Sequence, residues 1–174
     1  MSGNGPTTGL PGPRPKGNEQ GLAASRTIRA VERAAECGTS IGFVRDTTHT
    51  GAVGRYAHWA AERGFATYIT VAGPPLMAYH GTKAASLSTS PITIGVPREN
   101  GGPLVLDMAT SIIANSKLRV AAARGEQLPE GSALTAAGEP TTDATKAVIP
   151  LPLGGPKGSG ISLMTEIVNS VMTG

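Results

Sequence analysis

The chain has 174 residues, a formal net charge of only +3 and an aromatic content of 3%. Weak, scattered charge and few aromatic side chains argue against a nucleic-acid-binding protein, which needs basic patches and stacking surfaces. A hydrophobic content of 39% supports one folded domain. The single cysteine, Cys37, excludes an intrachain disulfide framework and favours a reducing compartment, so we expect a cytoplasmic protein. No apolar run approaches the roughly 18 residues of a membrane span, and we expect no membrane insertion.

The N-terminal part of the chain divides into a tail and a helix. Residues 1–17 are nearly all Gly, Pro, Ser, Thr and Asn with two basic residues, which predicts a flexible tail ahead of a domain over residues 18–174. Residues 22–37 have apolar side chains at helical spacing, namely Ile28, Val31 and Ala35. This spacing predicts an amphipathic helix that ends at Gly38.

A strand, a turn and a second helix are expected next. The apolar residues Ile41, Phe43 and Val44 predict a short strand that ends near Arg45, before a polar turn over residues 46–51. The following helix should end at Gly64. Its apolar stripe consists of Val53, Tyr56, Ala57, Ala60 and Ala61.

The middle of the chain predicts a long loop, a strand pair and a third helix. Residues 73–90 contain adjacent prolines and little periodicity, so we expect a loop over the surface. Strands fit 92–96 and 104–107, joined by a turn rich in Gly and Pro. A helix should follow from Met108 to about Ala123, capped by Thr110 or Ser111, and residues 124–147 are predicted to be mostly turns.

The last segment is a glycine-rich loop, PLGGPKGSG, that runs into a helix. The apolar stripe predicted for this helix consists of Ile161, Met164, Ile167, Val168 and Val171. Strands and helices that alternate with glycine-rich joints predict an α/β fold.

The same glycine-rich loop is a candidate anion site. Glycines let the backbone approach a ligand, the N-terminus of the following helix favours negative charge, and Lys157 adds a cation. The segment lacks both the G-x-x-x-x-G-K-[ST] and the G-x-G-x-x-G spacing. A turn with a solvated lysine is the alternative.

Two further residues lie where strands give way to helices. His49 could exchange a proton with a substrate hydroxyl or carbonyl near neutral pH, or it could be a solvated member of a threonine-rich capping turn. Asp107 could accept ribose hydroxyls or cap a helix.

Five ordered segments resemble one family, the type 2 malate/L-lactate dehydrogenases, which also include ureidoglycolate, sulfolactate and diketogulonate oxidoreductases. The segments are VRDTTHTGAVGRYA, VAGPP, STSPITIGVP, VLDMATS and PLGGPKGSGISLM. Ser90 stands where the family usually has Asn.

The resemblance implies a site and a reaction. His49 matches the family's catalytic histidine, which carries the proton while the nicotinamide of NAD or NADP carries the hydride of a 2-hydroxy or 2-oxo acid. The positions that match cofactor contacts are Gly73, Asp107, Met108, Ala109, Lys157 and Gly158.

The resemblance also implies the fold and the assembly. The expected fold is a non-Rossmann α/β arrangement with a mixed, largely antiparallel sheet flanked by helices, in a homodimer. Family members have an N-terminal Ser-His-Gly segment with a nearby Arg, and a C-terminal portion, that we do not find here. We therefore expect a fold truncated at both ends and weak or absent turnover by this polypeptide alone, because the Arg would clamp the substrate carboxylate. A non-catalytic fragment or dinucleotide-binding module of the family is the alternative.

Overall fold

The structure is a computed structural model that describes residues 19–45, 47 and 49–172. The predicted tail over residues 1–17 lies outside the described residues, and so do Asp46 and Thr48 of the predicted turn.

Along the described chain two helices are followed by five short strands, a third helix, two more strands and a fourth helix. The helices are α1 (Glu19–Cys37), α2 (Gly54–Ala61), α3 (Asn115–Arg124) and α4 (Pro156–Glu166), and a π-helical segment, Ile167–Val171, continues α4. The strands are β1 (Thr67–Thr70), β2 (Met77–Ala78), β3 (Ala85–Leu87), β4 (Ile92–Val96), β5 (Leu104–Met108), β6 (Ala133–Leu134) and β7 (Ile149–Pro150).

The largest described sheet has three strands in the order β1-β4-β5, with both neighbours antiparallel to β4. In its register Ile92 pairs with Thr70 on one side and with Met108 on the other. Strands β1 and β5 therefore run in the same direction and both end at the edge where β4 begins. This edge positions the candidate site.

Helix α2 packs closely on one face of that sheet. Ala57 and Ala60 are fully buried, as the predicted stripe required. A Cβ placed on Gly95 of β4 would lie 2.7 Å from the carbonyl oxygen of Ala57, so only glycine allows this approach. The prediction of α2, of β4 and of β5 from sequence is confirmed.

The strand predicted from Ile41, Phe43 and Val44 is wrong. These residues have no regular secondary structure, and Ile41 is 85% exposed. A strand needs a hydrogen-bonded neighbour, and among the described residues no strand pairs with this segment.

The surface loop predicted over residues 73–90 is also wrong in part. Strands β2 and β3 form a small antiparallel pair there, and Met77 and Ala78 are fully buried. Two residues are too short to show the alternation that identifies a strand from sequence.

Helix α3 begins at Asn115, well after the predicted start at Met108, and neither predicted cap is one. Thr110 instead donates both its N–H and its hydroxyl to the carbonyl oxygen of Thr89, at 2.9 and 3.0 Å. Ser111 donates its hydroxyl to the carbonyl oxygen of Ile113. After α3 ends, the chain up to residue 147 is irregular apart from β6, as expected.

The last predicted helix is present as α4 and its π-helical continuation, but its apolar stripe is not the buried face. Met164 is 58% exposed and Val171 is 74% exposed, so the apolar stripe faces outward. The buried face consists of Gly158, Ser159, Ser162 and Thr165. Small residues on this face allow α4 to lie close to the backbone beneath it.

A separate apolar core lies beside α3, where Leu118, Leu128 and Ala133 are buried together. Within the described part of the chain, no helix has the length and apolar character that crossing a membrane requires.

Candidate functional site

Three of the sequence-predicted segments meet at the edge where β1 and β5 end, namely those that contain Gly73, Met108–Ala109 and the glycine-rich loop. Gly73 follows the end of β1, while Met108 and Ala109 lie at the end of β5. Gly73 is exposed, and the other two are half-buried.

Residues 88–90, which lead into β4, connect these segments. A Cβ placed on Gly73 would lie 3.5 Å from Oγ of Ser88. The carbonyl oxygen of Thr89 accepts the two hydrogen bonds from Thr110, the residue directly after Ala109. The 88–90 segment is therefore hydrogen-bonded to the chain after β5 and lies beside Gly73 after β1.

The glycine-rich loop is hydrogen-bonded to Thr110, just after the end of β5. The N–H of Leu153 donates to the carbonyl oxygen of Thr110 at 2.9 Å, and the N–H of Gly158 donates to the carbonyl oxygen of Leu153 at 2.9 Å. Gly154 and Gly155 have φ values of 61° and 60°, a left-handed region that favours glycine. These two glycines turn the chain into the first residues of α4.

Gly158 is required for close packing. A Cβ at this position would lie 2.4 Å from the carbonyl oxygen of Leu153 and 2.8 Å from that of Thr110. The N–H groups of Lys157, Gly158 and Ser159 already donate to carbonyl oxygens within the loop. Attraction of an anion would therefore come from the exposed Lys157 ammonium and the helix dipole rather than from these amides.

The buried polar face of helix α4 is hydrogen-bonded to the 88–90 segment. The Ser162 hydroxyl lies 2.8 Å from the carbonyl oxygen of Ser88, to which it donates, and 3.0 Å from Oγ of Ser90. The N–H of Ser88 donates to Oε1 of Glu166. Lys157, at the start of the helix, is thereby fixed relative to Gly73 and β4.

His80 is a member of this region that the sequence prediction missed. Its N–H donates to Oγ of Ser159 at 2.8 Å, and its Nδ1 would lie 3.0 Å from a Cβ on Gly155. The residue follows the two-residue strand β2, and no periodicity marked it. The helical spacing of Ser159 and Ser162 is the signal that could have identified their buried face.

Asp107 connects the sheet edge to α2. Its Oδ2 accepts the N–H of Gly54 at 2.8 Å, and its Oδ1 accepts the hydroxyl of Thr93 at 2.8 Å. A helix-capping role, one of the two alternatives read from the sequence, is therefore present, although the helix is α2 rather than the one after Asp107.

His49 is exposed and lies five residues before Gly54, in the segment that leads into α2. The hydroxyl of Tyr56 donates to the carbonyl oxygen of Thr50 at 2.8 Å. The segment carrying His49 is thus held by α2, and α2 is held by Asp107. Hydrogen bonds connect the Asp107–Ala109 segment with the loop that carries Lys157 and Gly158, and Gly73 lies beside Ser88 at the same edge. His49 is connected to Asp107 through the first turn of α2.

Two cavities lie away from this edge. One of about 440 Å³ adjoins α3 and is lined by residues that include Lys117, Val120 and Leu128. Another of about 200 Å³ separates α1 from α2 beside Trp59. Neither cavity is lined by His49, by Asp107 or by Lys157. In residues 19–45, 47 and 49–172, no group of three or more His, Cys, Asp or Glu side chains could hold a metal ion.

The antiparallel sheet, the helix on its face and the glycine-rich loop at its edge define an α/β protein of non-Rossmann type. The sequence profile of the malate/L-lactate dehydrogenase family matches residues 19–174. The chain belongs to this family, which confirms the resemblance seen in the sequence.

Curated relatives and a solved structure agree with this assignment. The chain is 37% identical over 155 residues to malate dehydrogenase of Pyrococcus abyssi and 39% identical over 154 residues to L-lactate dehydrogenase of Cupriavidus necator. Each match covers 83% of this chain, and 42% and 44% of the respective relative.

The crystal structure of Δ1-piperideine-2-carboxylate reductase from Pseudomonas syringae superposes with a TM-score of 0.79 at 33% identity. That superposition covers 87% of this chain and 46% of the reductase. The predicted fold class is confirmed, and the chain spans less than half the length of the relatives it matches.

Proposed function

We propose that this chain forms the cofactor-binding part of an oxidoreductase that interconverts a 2-hydroxy acid and a 2-oxo acid with NAD or NADP. The observation that carries this proposal is the meeting of Gly73, Asp107–Ala109 and Lys157–Gly158 at one sheet edge. Family membership and relatives named malate and L-lactate dehydrogenase support the substrate class.

The residues at this edge fit a dinucleotide. Lys157 is an exposed cation at a helix N-terminus, a suitable partner for a phosphate. Gly73 is exposed and has no side chain to obstruct a flat group, while Met108 and Ala109 offer a half-buried apolar surface. When bound, the nicotinamide ring supplies the hydride acceptor or donor.

His49 has the chemistry for the accompanying proton. An imidazole can both accept and donate a proton, so it can act as the base in one direction of the reaction and as the acid in the other. In the oxidation, His49 accepts the proton of the substrate hydroxyl as the C–H bond gives up its hydride; in the reduction, it returns that proton to the developing alkoxide. Its exposed side chain is accessible to a small substrate.

We also propose that the chain forms a homodimer, as the family resemblance implies. Tyr68, Ile94 and Leu106 form one row across the three strands on the sheet face opposite α2, and they are exposed by 66%, 36% and 47%. A contiguous apolar row of this kind favours association. Analytical ultracentrifugation should show a dimer that Leu106→Glu shifts toward monomer, whereas a monomeric wild-type chain would contradict the proposal.

A titration with NADH or NADPH, followed by fluorescence, tests the proposed function. We expect saturable binding that Lys157→Ala weakens about tenfold, the effect of losing roughly 1.4 kcal/mol of charge-assisted contact. Lys117→Ala is the matched control, because Lys117 is also an exposed helical lysine but lines the cavity beside α3. Equal loss in both variants would mean general charge attraction and would argue against the site.

The alternative function is a non-catalytic member that keeps the fold. The dinucleotide titration separates the two, whereas steady-state assays with several 2-oxo acids do not, because we expect weak or absent turnover from the 174-residue polypeptide alone in either case. Absence of saturable dinucleotide binding would favour the non-catalytic alternative.

A further inference from the structure

We propose that Asp107 is a positioning residue that fixes the His49 segment by capping α2 from the neighbouring sheet. The inference rests on the proposed function only for the role given to His49. The capping itself depends on the hydrogen bonds of the carboxylate.

Both oxygens of the Asp107 carboxylate are already engaged. Oδ2 accepts the N–H of Gly54, the first residue of α2, at 2.8 Å. Oδ1 accepts the hydroxyl of Thr93, which is fully buried on β4, at 2.8 Å. Thr93 and Asp107 are direct cross-strand partners, so the sheet itself sets the direction of the carboxylate.

Helix α2 has no cap of its own. Val53 occupies the N-cap position, where it has an αR backbone and no side chain that can accept a hydrogen bond. The first turn also lacks an acidic residue. The carboxylate of Asp107 therefore supplies from 53 residues away both the acceptor and the negative charge that a helix N-terminus requires.

Gly54 makes this contact possible. A Cβ on Gly54 would lie 2.7 Å from Oδ2 of Asp107 and 3.2 Å from its Cβ. The absence of a side chain lets the helix end rest directly on the carboxylate.

The cap is directly coupled to His49 by the short chain between them. Only four residues separate His49 from Gly54, and the hydroxyl of Tyr56 in the first turn of α2 holds the carbonyl oxygen of Thr50. Displacement of the first turn would move both Gly54, to which the His49 segment is connected along the chain, and the Tyr56 hydroxyl, which binds Thr50. Each carboxylate oxygen retains a second lone pair, so the same group could still accept a dinucleotide hydroxyl.

NMR of the full chain tests the inference through three variants. Asp107→Ala removes both hydrogen bonds. Asp107→Asn keeps them without the charge, since its Oδ1 can accept from Gly54 and its amide can donate to Thr93. Asp143→Asn is the matched control, because Asp143 also accepts local hydrogen bonds but lies outside the site.

In Asp107→Ala we expect the Gly54 amide to exchange at least about fivefold faster, the change expected from loss of a helix-terminal charge and its hydrogen bond. The His49 ring resonances should shift, while those of His80, which does not lie on α2, should stay unchanged. A general loss of stability would affect both histidines. Asp107→Asn should restore most of both signals, and Asp143→Asn should leave them unchanged.

If Asp107→Ala does not fold, the nearly isosteric Thr93→Val removes only the bond at Oδ1 and should produce a smaller change of the same sign. Unchanged Gly54 exchange and His49 resonances in a folded Asp107→Ala protein would overturn the inference, whatever the NADH result. Failure of wild-type NADH binding alone would overturn the proposed function and leave the capping role standing.

Discussion

The hydroxyl of Ser162 on α4 and the carbonyl oxygen of Ser88 ahead of β4 are 2.8 Å apart, and the hydroxyl donates. Both residues are buried, and 74 positions separate them in the chain. This bond and the contact of Ser162 with Oγ of Ser90 lie on the buried face of α4, which consists of small residues. The attachment of α4 therefore depends on buried hydroxyl groups.

Ser162→Ala should destabilise the fold by about 1–2 kcal/mol, because it removes the hydrogen bond to the Ser88 carbonyl and the contact with Oγ of Ser90, and leaves the buried carbonyl without this partner. Urea unfolding measures the change. Ser116→Ala, at an exposed position of α3, is the control and should change stability by less than about 0.5 kcal/mol. Equal effects would show that the α4 contact contributes nothing specific.

Gly158→Ala and Gly160→Ala form a matched pair on α4. The first places a methyl group 2.4 Å from the Leu153 carbonyl oxygen and should cost about 1–3 kcal/mol. The second meets no atom within 4 Å and should stabilise the helix by about 0.5–1 kcal/mol. Thermal unfolding of both proteins checks the opposite signs, and a stable Gly158→Ala protein would contradict the close packing described here.

Thr67→Val should raise stability by about 1 kcal/mol, because Oγ1 of Thr67 is buried and has no hydrogen-bond partner among the described residues. Thr70→Val, on the same strand, should instead lose about 1 kcal/mol, since Thr70 accepts a hydrogen bond from Nδ2 of Asn169 at 2.9 Å. Chemical denaturation of the two variants gives the comparison. A destabilised Thr67→Val protein would show that this hydroxyl is hydrogen-bonded after all.

The hydroxyl and N–H of Thr145 hold the pKa of the Asp143 carboxyl below its ordinary value of 3.8. Because the folded pKa is lowered, this turn stabilises the fold above pH 3.8, and the contribution is lost as the pH falls through the folded pKa. Thr145→Ala removes the hydroxyl donor, which is 2.6 Å from Oδ1, and should move the pKa of Asp143 upward. A carboxyl NMR titration measures it, with Thr39→Ala, at an exposed position after α1, as control. An unchanged pKa in Thr145→Ala would contradict the stated cause.

Sequence periodicity correctly predicted those elements whose apolar side chains pack on one another within the described part of the chain. Helix α2 and strands β4 and β5 pack on one another, so their patterns report real burial. The outward stripe of α4 shows the limit of this reasoning, because a pattern identifies apolar residues without showing what covers them. Its buried Ser162 binds groups 72 and 74 positions away, which no local pattern encodes.

The candidate site was predicted in part for the same reason. Asp107 and Lys157 stand near the ends of elements, where sequence alone marks them. His49 was marked by the polar turn, although the strand predicted ahead of that turn does not form. The contact of Asp107 with Gly54 joins residues 53 positions apart and depends on the strand register, so only the fold reveals it. His80 was missed because its contact with the glycine-rich loop is likewise a product of tertiary structure.

Amide and histidine chemical-shift mapping during an NADH titration tests the central claim most directly. We predict saturable shifts at Gly73, Ala109 and Gly158 and at the His49 ring, with one common dissociation constant. Saturable shifts confined to the cavity that Val120 and Leu128 line, or no saturable shifts, would contradict the claim that this sheet edge is the dinucleotide site.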